Sequence, residues 1–376
     1  MALSSDAVAL ELQQIRLEFG ARHHRIEQFW LNRFDRIWQG GDRRPERSRQ
    51  LLIGAHFCME YSPESAALFN PSLVWHPDQS NLPAGARRFI LSLRATGEGH
   101  ISAIVFRTGV VTGDGDVTVD EPAPFLIAPE ITGLDEDGYQ ATFAAESLLC
   151  ERTLFPCTEE ESNGMEDARF TEFTSDSGET TYFATYTAYD GRQIRPRILV
   201  TSDFLHFKVS TLYGAEASNK GMALFPRPIA GRYAMLSRQD GERIFLMFSD
   251  RCDHWDEKIL LYQPAHDWDR IQFGNCGAPV ATESGWLVLT HGVGAMRKYV
   301  LGALLLDLAN PAKVVARLRE PLLAPNENER EGYVPNVVYS CGGQIQRHRL
   351  VLPYAMSDSA SSFVTIDVDE LLAEMR

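Results

Sequence analysis

The sequence predicts an all-β body behind a helical N-terminal extension. Three observations carry this. From about residue 53 onward, short runs rich in β-branched and aromatic residues alternate with Gly, Asp and Asn turns. A weak echo places Ser-Asp after a strand end in Thr201-Ser202-Asp203-Phe204 and again in Phe248-Ser249-Asp250-Arg251. The two pairs are 47 residues apart (249 less 202), about the length of one four-stranded propeller blade. Before residue 40, by contrast, apolar residues recur at helical steps.

The helical stretch is 4–38. Val8, Leu12, Ile15, Phe19, Ile26, Trp30, Phe34 and Ile37 form its stripe, Ser4, Ser5 and Asp6 are candidate caps, and Gly40-Gly41 ends it. Gly20 is its interior glycine, so one bent helix and two short ones fit equally. So apolar a stripe requires cover, on the wall of the body or on a second copy of the chain. His23-His24 lies on the flank, with no acid or cysteine spaced to complete a metal site. Residues 42–52, with Asp42, Arg43, Arg44, Glu46, Arg47 and Arg49, read as a solvated joint. The chain thus divides into an extension, 1–55, and a β body, 56–376.

Within the body the expected strands are 88–94, 101–107, 180–186, 197–200, 233–237, 244–248, 286–290, 301–308 and 350–354. About 320 residues at this period hold five or six blades. A two-sheet sandwich competes, but it gives so many strands no natural stopping point.

Composition narrows the function. With 36 basic against 51 acidic side chains and a formal charge of −15, a general nucleic-acid or anionic-membrane surface is excluded. A small anion held by a few converging cations is not. No apolar run has the length of a membrane helix. The six cysteines are scattered, and the Cys150–Cys157 spacing matches no zinc pattern. Free thiols, a cytoplasmic location and no bound metal are the expectations.

The chemistry concentrates in Gly164-Met165-Glu166-Asp167-Ala168-Arg169. On an extended backbone Glu166 and Asp167 point to opposite faces, so one can meet a pocket while the other pairs with Arg169 or a neighbouring strand. Similar polar clusters flank other strands: Asn70-Pro71, Asn219-Lys220-Gly221, Asn275-Cys276-Gly277, His291-Gly292-Val293 and Pro335-Asn336-Val337. Arg192, Arg195 and Arg197 follow Asp190 in a turn region, as surface charge or as an anion site. Trp75, Trp255, Trp268 and Trp286 fit either strand packing or a platform under a sugar ring.

Together these motifs resemble glycoside hydrolase family 130, the five-bladed β-propeller family of β-mannoside phosphorylases and β-mannosidases. The family's Glu-Asp-Pro-Arg is similar to Glu166-Asp167-Ala168-Arg169. Its Asn-Lys-Asp…Leu-Phe-Pro resembles Asn219-Lys220-Gly221…Leu224-Phe225-Pro226, and Gly285-Trp286-Leu287…His291-Gly292-Val293, the run from Leu301 and Val334-Pro335-Asn336-Val337-Val338 follow suit. The resemblance spans about 64–375, with the extension outside the common core. Ala168 stands where the family has proline, and Gly221 where it has aspartate.

The resemblance implies that Asp167 is the proton donor, acting through the sugar's own 3-hydroxyl. Phosphate then attacks C1 from the other face and mannose 1-phosphate leaves with inverted configuration. It also implies a mannoside held by Asn70, Arg94, Glu166, Arg169, Asp190 and Asn336. Phosphate would be held by Lys220 and His291 with Arg192, Arg195 and Arg197. Inorganic phosphate is then a co-substrate and no cofactor is needed. The alternatives are a β-mannosidase, in which a carboxylate-activated water replaces phosphate, and an inactive carbohydrate-binding relative. Any of the catalytic readings requires a carboxylic acid that carries its proton when it is needed.

Overall fold

The computed structural model describes residues 3–40 and 43–375, so Gly41 and Asp42 lie outside the described residues. The chain separates into two compact units, Met1–Ser62 and Pro63–Arg376. The expected boundary at 55/56 falls instead in the last turn of a helix.

The first unit holds three helices. α1 (Ser5–Phe19) starts at Ser4, whose side chain accepts a hydrogen bond from Ala7 N, and it buries Val8 and Leu12. A 3-10 turn at Gly20–Arg22 and a left-handed Arg25 break the stripe, and α2 (Ile26–Ile37) resumes it with Trp30 and Phe34 buried. Two short helices, rather than one bent one, is therefore the outcome. α3 (Arg47–His56) overturns the solvated joint: Leu51 and Leu52 are buried beneath its arginines. Gly54 sits where any Cβ would collide with the Trp30 carbonyl, so glycine permits α2 and α3 to touch.

The second unit is β-rich, closing with a short helix, α4 (Val368–Glu374), capped by Asp367. Its strands form five antiparallel groups. The first contains Ala67–Trp75, Arg87–Thr96 and Ser102–Val111, and the second Gly164–Thr174, Thr180–Tyr189, Ile194–Thr201 and His206–Thr211. A single parallel pair, Ser102 with Gly164, joins these two into one sheet. The third runs Ala223–Leu224, Tyr233–Ser237, Ile244–Ser249, Lys258–Tyr262. The fourth is centred on Gly285–Val293 and Tyr299–Leu306, the fifth on Arg349–Met356 and Ala360–Asp367. The two Ser-Asp echoes fall at equivalent places, between third and fourth strands of the second and third groups.

The core lies between the groups. Phe106 and Phe170 join first to second, Phe173 and Leu224 second to third, Phe225 and Trp286 third to fourth, Leu287 and Leu352 fourth to fifth. Phe69 with Tyr339, and Leu91 with Val351, join fifth back to first. Gly285–Val293 shows the cause. Trp286 and Val288 face one neighbour while Leu287 and Leu289 face the other, so alternation along the strand buries both sides. The same packing decides the tryptophans. Trp75, Trp255 and Trp286 are buried in it, and Trp268 covers Gly292 and Gly302. They are packing residues.

Candidate functional site

The Glu166–Asp167 motif does not stay extended. The pairing with Thr180–Tyr189 shifts register between Glu166 and Arg169, and Asp167 takes a φ of +53°. A bulge of this kind re-aims side chains, and it overturns the opposite-face expectation. Both carboxylates meet one guanidinium: Arg94 Nη2 donates to Glu166 Oε1 at 2.6 Å and Nη1 to Asp167 Oδ1 at 3.5 Å. Arg94 is steadied by Nε donating to Ser102 Oγ at 2.7 Å. Asn70, in a matching bulge of Ala67–Trp75 with φ +50°, donates Nδ2 to the same Asp167 Oδ1 at 2.6 Å. Both bonds fall on Oδ1, so neither engages Oδ2.

Arg169 does not pair with either carboxylate. It donates to the Asp167 carbonyl at 3.1 Å, the Cys276 carbonyl at 2.6 Å and Tyr339 OH at 2.6 Å. It is buried, and it holds the left-handed Asp167 backbone, a conformation that costs a non-glycine residue about 1–3 kcal/mol and persists only when held.

A second cluster gathers around Arg238, which the sequence reading missed. Its Nη1 lies 3.1 Å from His291 Nε2. A guanidinium only donates, so Nε2 accepts and the ring proton sits on Nδ1. His291 is fully buried. Burial first, then Arg238, Arg169 and Lys220, hold its imidazolium well below the ordinary range. The ring is therefore neutral, and its Nε2 orients the Arg238 guanidinium. Gly221 (φ +88°) makes the room, since a Cβ there would collide with Arg238 Nε. Gly274 closes the other side, with a Cβ position 2.9 Å from Arg238 Cδ. Among the described residues, the buried polar atoms without a hydrogen-bond partner include Asn70 Oδ1, Arg238 Nε, Asn275 Oδ1, Thr290 Oγ1 and His291 Nδ1 here, and others such as Thr153 Oγ1 and Arg197 Nε elsewhere. Natural proteins rarely leave such atoms unmatched away from sites of function.

The charges of the two clusters meet at Asp167. Burial would raise its carboxyl, but Arg94, Arg169, Lys220 and the Asn70 amide outweigh burial and hold it below the ordinary carboxylate range. Asp358, in the turn between the last two strands, behaves oppositely. Burial and then the Asp167 charge push it up to about 6. Nothing in its Ser357-Asp358-Ser359 context distinguishes it from an ordinary hairpin turn.

The remaining expected residues lie elsewhere. Arg197 is buried against Glu160 at 2.8 Å and Glu161 at 3.5 Å, and Arg195 pairs with Glu160 at 2.7 Å. Arg192 is exposed on the 190–193 turn, where Asp190 Oδ1 accepts from the Arg192 and Gln193 amides. Carboxylates thus hold two of the arginines, and a turn occupies the acid. Asn336 (φ +63°) accepts from Arg330 Nε at 3.0 Å. Arg238 carried one signal in sequence, a charge directly after the apolar run 233–237.

The strand ends thus clamp two carboxylates on one arginine, with Lys220 acting on Asp167 and the buried Arg238 held by His291. A family profile described as beta-1,4-mannooligosaccharide phosphorylase matches residues 136–376. The chain belongs to glycoside hydrolase family 130. It is 34% identical over 218 residues to a 1,2-beta-oligomannan phosphorylase of Thermoanaerobacter sp., covering 57% of this chain and 72% of that one. It is 29% identical over 248 residues to a beta-1,2-mannobiose phosphorylase of Listeria innocua, covering 64% and 66%. The structure of a β-1,2-mannobiose phosphorylase from Listeria innocua, in complex with β-1,2-mannobiose, superposes with a TM-score of 0.60. The identity there is 21%, over 82% of this chain and 92% of that chain. Among the described residues no helix is long and apolar enough to cross a membrane.

Proposed function

We propose that the chain is an inverting β-mannoside phosphorylase whose second unit is a five-bladed propeller. The five antiparallel groups, each packed on the next and the fifth on the first, support the propeller. One observation carries the choice of phosphate over water: Lys220 acts on both Asp167 and His291, the buried Arg238 contacts His291, and among the described residues Arg238 has no carboxylate partner. A phosphate must exchange strong hydration for charge-assisted hydrogen bonds, which such a pair supplies. A water nucleophile needs a carboxylate base instead, and cations blunt a base.

In this mechanism Asn70 and Arg94 bind the mannose and fix Asp167. Phosphate on Lys220 and Arg238 attacks C1, a C1–O–P bond forms, the glycosidic bond breaks, and the departing oxygen takes a proton originating at Asp167. The lowered pKa of Asp167 in the free chain fits this order of events. Phosphate brings negative charge to Lys220, one of the cations that hold Asp167 ionised, so its arrival lifts the carboxyl and lets it load a proton.

The test is to incubate the protein with β-1,2- and β-1,4-mannobiose, with and without phosphate. Phosphate-dependent mannose 1-phosphate is expected. Equal cleavage without phosphate, releasing free mannose, would assign a β-mannosidase instead.

A further inference from the structure

We propose that Tyr333, backed by His100, is the stacking platform for the sugar on the leaving side of the scissile bond, the one released in phosphorolysis and accepted in synthesis. The assignment rests on the phosphorylase reading and deepens it. Tyr333 is 70% exposed, yet one face is covered: the His100 ring lies parallel to it, with centroids 5.0 Å apart and planes at 19°. An aromatic ring with one face packed and the other open is what the C–H face of a pyranose stacks on.

Its mounting ties it to the site. His100 lies in the hairpin between Arg87–Thr96 and Ser102–Val111, two residues before the Ser102 hydroxyl that receives Arg94 Nε. Tyr333 N donates to Ser359 Oγ at 3.1 Å, in the turn that carries Asp358. Gly332 packs so closely there that a Cβ would come within 2.5 Å of the Ser357 carbonyl. The platform is thus fixed by the two hairpins that hold Arg94 and Asp358. The donor mannose is committed to Asn70 and Arg94 and phosphate to Lys220 and Arg238. The leaving sugar is the one reactant still without a surface. No tryptophan of the second unit offers it, because Trp75, Trp255 and Trp286 are buried and Trp268 is tied to the Arg319 carbonyl.

The experiment measures binding of β-1,2-mannobiose and of mannose 1-phosphate by calorimetry to wild type, Tyr333→Phe, Tyr333→Ala and His100→Ala, with Tm as the folding control. Tyr333→Ala should weaken the disaccharide roughly tenfold, the scale of one aromatic contact, and leave mannose 1-phosphate unchanged. Tyr333→Phe should bind like wild type, and His100→Ala should fall between. Unchanged disaccharide binding in Tyr333→Ala, or equal loss for both ligands, overturns the platform; so does a wild type that does not bind the disaccharide. The phosphorylase reading fails separately, when wild type binds mannobiose but releases no mannose 1-phosphate with phosphate present.

Discussion

Removing Arg238 separates phosphate affinity from acid strength. The largest charges acting on Asp167 are Arg94, Arg169 and Lys220, and Arg238 is not among them. Lys220→Ala therefore disturbs both the anion site and the acid, whereas Arg238→Ala isolates the first. A hydrogen bond to a charged group contributes about 1.5–3 kcal/mol, so the phosphate KM should rise roughly 10- to 150-fold. The substitution also strips His291 Nε2 of its partner in a fully buried position, at a cost of about 1–3 kcal/mol in stability. Tm must be followed alongside, and Arg238→Lys serves as the charge-retaining control, expected to recover part of the loss. The assay is initial rate of mannose 1-phosphate formation across a phosphate series at saturating mannobiose. A folded Arg238→Ala enzyme whose phosphate KM stays within about twofold of wild type would refute the anion site as drawn.

Three further expectations follow from the same geometry. Asp167→Asn keeps the Asn70 contact but carries no transferable proton, so turnover should fall by about 10²- to 10⁴-fold with mannobiose binding retained; near-native turnover removes Asp167 from the role. Phosphate binding should take up protons around neutral pH, seen as a dependence of the calorimetric heat on buffer ionisation. Asp167→Asn should abolish that uptake, and an unchanged uptake would place the proton elsewhere. Asp358 has its folded pKa raised from 3.8 to about 6, so its contribution to stability is present below pH 3.8 and lost as pH rises through about 6. Asp358→Asn should thus gain about 2–4 °C in Tm relative to wild type between pH 4 and pH 7, and a constant difference across that window would contradict the assignment.

Much of the fold was legible, because long apolar runs such as 233–237 and 286–290 sit in strands buried on both faces. Strands like Ala67–Trp75 and Gly164–Thr174 were harder, since bulges at Asn70 and Asp167 interrupt their alternation. α3 was hidden by its charged residues: Arg47 is exposed and Arg49 half-buried, bonding the Leu3 carbonyl, while Leu51 and Leu52 face inward. At the site, Asn70, Arg94, Glu166 and Asp167 were found because they belong to recognisable motifs, and the structure clamps them together. Local clustering misled for Arg195 and Arg197, whose neighbours in space are Glu160 and Glu161. Arg238 and Asp358 escaped because their meaning is set by segments more than 50 and 190 residues away, His291 and Asp167.

Arg169 spans the chain in the same sense: its three bonds reach Asp167, Cys276 and Tyr339, 2, 107 and 170 residues away. Closing loops of that length is slow, and the Tyr339 bond cannot form until the fifth group has met the second. The acid therefore acquires its working conformation among the last events of folding, and a chain stalled before its final strands has every site residue from Asn70 to His291 and no assembled site. Enzyme activity regained during refolding should lag behind the recovery of β-sheet signal, and a ligand seated on Asp167 should resist unfolding of strands far beyond those it touches.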